Sequence, residues 1–203
     1  MNRAIGNIPG YAYGSETIPP SHISIGELDE LKVTVGWTDD DSIFLRLAGE
    51  VLEDQTEEIV GHWRSGIIAS IPNLARHSQT PEGHDIPEYA ANSGKRFEQW
   101  IMDTCLRPYD QEWLDYQMEI ARRHTSAMKN KIDGVRSTPF VPLRDIVAFI
   151  AVINDTIRTY LASKGHSAGD VDKMHRAWSK SLQLQTALWS KVYVDMSQGS
   201  GEW

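Results

Sequence analysis

A histidine near the middle of the chain has the setting that points most directly to chemistry. At helical spacing, one face collects Trp113, Tyr116, Gln117, Ile120 and His124. An imidazole on such a mostly apolar face is either a hydrogen-bonded core residue or a metal ligand, for example an axial ligand of haem iron. The pattern alone leaves both uses open, so the rest of the chain has to distinguish them.

Composition indicates one ordinary globular domain. The chain has 203 residues, of which 40% are hydrophobic and 24% charged, enough for a substantial core. The formal net charge is -8, and no cluster of basic residues stands out along the sequence. Because a nucleic-acid site needs a basic face, we expect no nucleic-acid partner.

Hydropathy and cysteine content disfavour a membrane or secreted protein. The longest apolar run, residues 146–153, is far shorter than the roughly 20 residues that span a bilayer. The first residues carry one arginine and no apolar segment typical of a secretory signal. A single cysteine, Cys105, excludes an intrachain disulfide and suits a reducing compartment. We therefore predict a cytoplasmic protein that does not enter a membrane.

Glycine, proline and tyrosine set the first twenty residues apart. Their composition predicts an irregular arm whose aromatic side chains, including Tyr11 and Tyr13, pack on the core. We therefore divide the chain into an arm over residues 1–20 and a single domain over residues 21–203.

Helical periodicity and capping signals predict an all-α domain, without strand alternation of useful length. The predicted helices cover residues 24–36; 38–71 with a break near Gly49; 87–106; 110 to about 131–134; 142–161; and 167–194. The polar, turn-rich stretch 72–87 is predicted to be a loop.

The last two helices are apolar on more than one side. In the final helix, Met174, Trp178 and Leu182 form one row, and further apolar residues lie off that row. Such a helix is buried on both sides, either in a large internal core or at a helical dimer interface. Of these alternatives we expect the homodimer, formed through the last two helices.

Short strings along the whole chain, each weak by itself, together resemble the protoglobins, single-domain relatives of the globin-coupled sensor globins. They are Ile8-Pro-Gly-Tyr-Ala-Tyr-Gly14, Ala48-Gly-Glu-Val-Leu-Glu-Asp-Gln55, Trp63, Lys95-Arg-Phe-Glu-Gln-Trp-Ile101, Asp103-Thr-Cys105, Tyr109-Asp-Gln-Glu-Trp-Leu-Asp-Tyr-Gln117, Arg123-His124, Val147-Ala-Phe-Ile150 and Leu188-Trp-Ser190. They follow the family's order over nearly the whole chain.

This resemblance implies a globin fold with an extra N-terminal segment and helix. It also implies a deeply buried b-type haem, a dimer, and binding of O2, CO and NO. On the match, His124 takes the place of the proximal iron ligand. Trp63 and Phe97 take places on the distal side, Phe149 that of a haem-contacting aromatic, and Tyr11 in the arm is expected to contact the cofactor. The chain has no Cys-x-x-Cys-His, so the haem would not be covalently attached.

The chain departs from its apparent relatives near the distal side. Arg64 follows Trp63 where relatives commonly have tyrosine, and the chain reads Leu74-Ala-Arg-His77 where they favour aromatics. A guanidinium has to reach solvent, a carboxylate such as a haem propionate, or an anionic ligand. Trp63 either donates its indole N–H to the ligand or only packs in the core. His77 receives no distal role.

Three classes of function follow from these residues. The first is a haem protein that binds gases at a pentacoordinate iron for storage, sensing or detoxification; without an output module, a sensor would signal through a partner. The second is a haem enzyme, such as an NO dioxygenase or a nitrite or peroxide catalyst, served by a separate reductase. The third, a haem-free or di-iron helical protein, is disfavoured, because di-iron bundles use two Glu-x-x-His units and the chain has only Asp172-x-x-His175.

Overall fold

The computed structural model describes residues 8–196, and its regular structure over that range is helical. The α-helices are α1 Ile25–Thr34, α2 Asp39–Leu52, α3 Thr56–Gly61, α4 Pro72–Ala75, α5 Pro87–Leu106, α6 Gln111–Arg122, α7 Leu143–Leu161 and α8 Ala168–Met196. An isolated β-bridge joins Gln79 and Asp85, but residues 8–196 contain no β-strand. The all-α prediction is confirmed. None of the described helices is both long and apolar enough to cross a membrane.

The longest helix, α8, lies at the centre of the packed core, in contact with α2, α6 and α7. Its row of Met174, Trp178 and Leu182 is fully buried. The apolar residues off that row are buried as well, namely Ala177, Leu184 and Leu188. The two-sided apolar character of α8 is therefore accounted for by contacts within one chain. It no longer argues for a dimer.

The helical run breaks at residues 53–55, close to the predicted break but not at Gly49 itself, which lies within α2. A side chain at Gly49 would place its Cβ 2.8 Å from Cys105 Cβ and 2.7 Å from Leu106 Cδ2. The glycine therefore allows α2 and α5 to approach closely, and it does not end the helix.

The predicted helix up to Ile71 is irregular in its second half. A π-helical segment occupies His62–Ile67, and a 3-10 turn follows at Ile68–Ser70. The stretch 72–87, predicted to be a loop, begins with α4 and a second 3-10 turn, Arg76–Ser78. Changes of helical pitch of this kind often mark a functional site, because they redirect side chains.

Helix α6 ends at Arg122, about ten residues before the predicted end. Side chains just beyond it form hydrogen bonds with backbone carbonyl oxygens of its last turn. His124 Nδ1 lies 2.8 Å from the Ile120 carbonyl oxygen, and Thr125 Oγ1 donates to the Arg122 carbonyl at 2.8 Å. These bonds satisfy groups that would otherwise require continuation of the helix. His124 therefore lies in the turn after α6.

The described part of the arm lies across α5 and the end of α6. Tyr11 donates from its hydroxyl to Asp103 Oδ2 at 2.8 Å. Arg96 and Arg123 donate to the backbone carbonyls of Pro9 and Gly10, at 2.7 and 2.6 Å. The division of the chain into an arm and one domain stays a prediction. Residues 1–7 of the arm and residues 197–203 of the domain lie outside the described residues.

Candidate ligand-binding cavity

A cavity of about 270 Å³ lies between α5, α6, α7 and the π-helical segment. Most of its wall is apolar, formed by Ile68, Leu74, Phe97, Ile120, Ile132, Val141, Ile146, Phe149, Ile150 and Ile153. A smaller number of polar and charged side chains reach the same space. A concave apolar pocket with a few placed polar groups is typical of a small-molecule or cofactor site.

His124 lies on the cavity wall with one nitrogen engaged and one free. Nδ1 faces the Ile120 carbonyl at 2.8 Å, which requires the proton to be on Nδ1. Nε2 makes no hydrogen bond within residues 8–196. Burial lowers the pKa of the imidazole, outweighing the bond to Ile120, which raises it. The ring is therefore neutral near pH 7 and carries its lone pair on Nε2, the form that ligates a metal.

Four other predicted cofactor contacts, Tyr11, Arg64, Phe97 and Phe149, share the lining with His124. Trp63 is fully buried and, within the described structure, lies outside that lining. Its ring lies behind Phe97, with the two centroids 5.1 Å apart. Its indole N–H donates to Thr156 Oγ1 at 2.8 Å, and neither residue is part of the cavity lining in the described structure.

Arg64 is a partly buried cation on the cavity wall. Within residues 8–196 it makes no hydrogen bond and no ion pair. Burial lowers the pKa of its guanidinium, and its main charged or titratable neighbours are Tyr89 and Arg96. Arg96 lies on the same wall but is paired, with Nη2 2.6 Å and Nη1 3.1 Å from the Asp133 carboxylate. Arg64 therefore keeps an uncompensated positive charge.

Lys129 is a second cation on the wall without an ion-pair partner in the described structure, and no local sequence pattern marks it. Its ammonium is buried and donates to the His77 carbonyl at 2.9 Å, and no carboxylate of residues 8–196 lies within ion-pair distance. Burial lowers its pKa to about 8. In an uninterrupted helix, five residues would turn Lys129 roughly 140° from His124. Because α6 ends early, the chain bends and brings both to one cavity.

The other lining histidine, His77, has both nitrogens engaged. Nδ1 lies 2.8 Å from Thr138 Oγ1, and Nε2 lies 3.4 Å from Asp145 Oδ2. Burial lowers the pKa of this imidazole as well. His124 is thus the lining histidine in residues 8–196 that offers a free ring nitrogen. Sequence reasoning gave His77 no role, and nothing in the sequence marks its position on the wall.

A di-iron centre would need Asp172 and His175 as ligands, but both have other partners. Asp172 pairs with Arg158 at 2.5 Å, and His175 Nε2 faces the Asn154 carbonyl at 2.7 Å. Residues 8–196 contain no group of three or more histidine, cysteine, aspartate or glutamate side chains that could hold a metal ion.

Comparison with known proteins assigns the family. The protoglobin family model matches residues 25–198, from the start of α1 to just past the end of α8. No curated protein matches the chain significantly. The match covers the helices that build the cavity, and the family's proteins are haem-binding, gas-binding globins. The chain therefore belongs to the protoglobin family and has the globin fold.

Proposed function

We propose that this protoglobin holds a b-type haem through His124 Nε2 and binds O2, CO or NO on the open side of the iron. The observation that carries the proposal is the state of His124: neutral, oriented by the Ile120 carbonyl, and with a free Nε2 at the cavity. When bound, haem would supply an iron centre with one side left for a gas ligand.

The chain's own residues fit such a group. The aromatic and aliphatic wall that includes Phe97 and Phe149 would exclude water from the porphyrin faces. The bond from His124 Nδ1 to Ile120 fixes the ring's tautomer and its angle. The buried ammonium of Lys129 would stabilise a haem carboxylate, because it has no carboxylate partner of its own.

The test is the absorption spectrum of purified protein with two histidine variants. We expect His124→Ala to abolish stoichiometric haem binding or to leave a weakly held haem with an altered ferrous spectrum. His77→Ala is the matched control, because His77 lines the same cavity but has both nitrogens engaged. It should keep the parent spectrum. An unchanged ferrous spectrum in His124→Ala, or loss of haem only in His77→Ala, would contradict the proposal.

A homodimer and a cytoplasmic location remain part of this proposal. The dimer now has less support, because the apolar faces of α8 are covered within the chain. Exposed apolar residues that remain on α7 and α8 are Val147, 46% exposed, and Val194, 61% exposed. Light scattering at micromolar concentration tests it: about twice the chain mass of 22.9 kDa supports the dimer, and the chain mass alone rejects it.

A further inference from the structure

We propose that Arg64 makes this site selective for small inorganic anions, such as azide and nitrite, as ligands of ferric haem. The inference rests on the proposed function, since it needs a haem in the cavity. It goes further by naming a ligand class that a neutral gas site would not favour, and by assigning that preference to one side chain.

Arg64 has no counter-charge. It lines the cavity and makes no ion pair in the described structure. The carboxylate on the same wall, Asp133, is held by two nitrogens of Arg96 at 2.6 and 3.1 Å. Moving Asp133 to Arg64 would leave Arg96 unpaired, so the chain gains nothing by rearranging. A buried, unpaired cation is costly, and an anion that enters the cavity relieves that cost.

Arg64 and His124 are carried by different elements of the cavity wall. Arg64 is carried by the π-helical segment, which packs on α5: its Cδ lies 3.9 Å from where a Cβ at Gly94 would be. His124 lies in the turn after α6 and lines the same cavity. Because the two residues are carried by different elements, we infer that Arg64 approaches a group ligated by His124 from a direction other than that of the ligating nitrogen.

The π-helical segment that carries Arg64 is held in one orientation by Trp63. Trp63 is anchored in the core by Thr156 and Phe97, so the segment cannot rotate without breaking those contacts. Consecutive residues of a helix point in different directions, and with Trp63 fixed inward Arg64 is held on the cavity side. Trp63 thus acts as a positioning residue for Arg64.

A cation on the ligand side changes selectivity in a defined way. Its attraction adds to that of the ferric iron for an anion, and it is nearly absent for a neutral ligand. Charge-assisted hydrogen bonds from a guanidinium also match the oxygen or nitrogen ends of nitrite and azide. We therefore expect the preference to appear in ferric anion binding and to be absent from ferrous CO binding.

The experiment titrates haem-loaded ferric protein with azide and nitrite, and uses imidazole as the neutral ferric ligand and CO as the neutral ferrous one. Arg64→Leu should weaken both anions about tenfold, or about 1.4 kcal/mol, and shift the neutral ligands by no more than about twofold. Arg64→Lys should recover part of the loss, because it keeps the charge. Arg136→Leu is the control for overall charge, since Arg136 is exposed and paired with Glu82. It should leave all four affinities unchanged.

Arg64 could instead contact a haem carboxylate. Haem dimethyl ester, which lacks free carboxylates, distinguishes that contact from contact with the iron ligand. If Arg64 faces the ligand, Arg64→Leu should take up haem as readily as the parent does. Weaker uptake of haem by Arg64→Leu, with equal uptake of the ester by both proteins, would place Arg64 at a propionate and overturn the inference. Equal azide affinities in parent and Arg64→Leu would overturn it as well.

These outcomes are distinct from failure of the proposed function. A parent protein that takes up no haem, or a His124→Ala variant with an unchanged spectrum, would remove the haem site itself. A normally loaded parent with a normal ferrous CO spectrum, but without a charge effect at residue 64, would remove only the anion preference.

Discussion

The two sides of the molecule differ in how they treat buried charges. Around α8, the amide of Gln185 accepts from Trp100 Nε1 at 2.7 Å and donates to Thr104 and Ser181 at 3.2 and 3.0 Å. On the cavity wall, Arg64 and Lys129 have no carboxylate partner within residues 8–196. The difference is one of charge: on the α8 side Lys180 pairs with the buried Asp41 at 2.8 Å, and the unpartnered groups there, such as the Trp178 indole N–H, are neutral, whereas the cavity wall leaves two cations without a carboxylate in the described structure.

Backbone regularity follows the same division. Helix α8 runs without interruption over 29 residues. Residues 56–78, which carry Arg64 and reach His77, instead alternate among short α-helical, π-helical and 3-10 pieces. Uniform packing supports a long regular helix, while a wall that must present particular groups to a cavity departs from it. The predictions below test this division.

The largest effect is expected in the packed side of the molecule, the core around α8. Leu182→Ala should lower the free energy of unfolding by about 2–5 kcal/mol, because it opens a cavity at a fully buried position of α8. The loss should be equal with and without haem, since Leu182 is not part of the cavity lining in the described structure. Urea unfolding of both forms measures it. Val194→Ala, at an exposed position of the same helix, is the control and should change little.

In the haem-free protein, Lys129→Met should increase the free energy of unfolding, whereas Leu182→Ala lowers it. Removing the buried ammonium should raise the free energy of unfolding at pH 7 by about 3 kcal/mol, an order-of-magnitude value from the lowered pKa of about 8. Haem affinity should fall in the same variant, because a haem carboxylate would lose its cation. A variant that destabilises the haem-free protein would show that Lys129 is already compensated.

The pH dependence of the parent gives an independent check. Because the folded-state pKa of Lys129 is lowered to about 8, the unfolded chain binds more protons than the folded one between that pH and the ordinary lysine value. The cost of burying the ammonium is complete below pH 8 and is relieved as the pH rises above it. The free energy of unfolding of the haem-free parent should therefore rise over that range relative to Lys129→Met. Parallel curves for the two proteins would contradict this.

Gln185→Leu should cost about 1–3 kcal/mol, since it removes the partner of the buried Trp100 N–H and of two hydroxyl groups. Gln183→Leu is the matched control, because it makes the same change two residues away at an exposed position of α8. Denaturant midpoints of the two variants measure the difference. Equal midpoints would mean that the network around Gln185 does not stabilise the packed side.

The smallest effect tests whether Trp63 belongs to the packed core or to the cavity wall. Thr156→Val should cost about 1 kcal/mol by removing the acceptor of the Trp63 N–H. It should leave the ratio of O2 to CO affinity unchanged, because neither residue is part of the cavity lining in the described structure. Thr159→Val, exposed on the same helix, is the control. A raised O2-to-CO ratio would place Trp63 on the cavity side after all.

Much of the fold could be predicted because local signals agreed with the packing. Pro87 and the periodic apolar residues after it predicted the bounds of α5, and Gly165 and Ser167 separated α7 from α8. Where the predicted break differed from the observed one, tertiary contacts were decisive. Gly49 reads as a helix breaker by itself, but in the fold it accommodates Cys105 and Leu106.

The site was predicted in part for the same reason. His124 stood out because an inward imidazole is unusual on an apolar face, and the structure places it on the cavity wall. Lys129 could not be identified, since its place depends on where α6 ends, and that depends on side-chain bonds to the last carbonyls. Trp63 was expected on the distal side, but its partner Thr156 lies 93 residues away, and no local pattern indicates that bond.

The helical class, most helix boundaries and the candidate histidine can be read from the amino-acid sequence, because they depend on periodicity, capping and residue type within a few turns. Which cations remain unpaired depends on the packed fold. Asp133 could serve Arg96 or Arg64 as far as the sequence shows, and only the fold brings it to Arg96. Pairing of charges depends on distances of a few ångströms between segments far apart in the chain, and those distances exist only once the helices have packed.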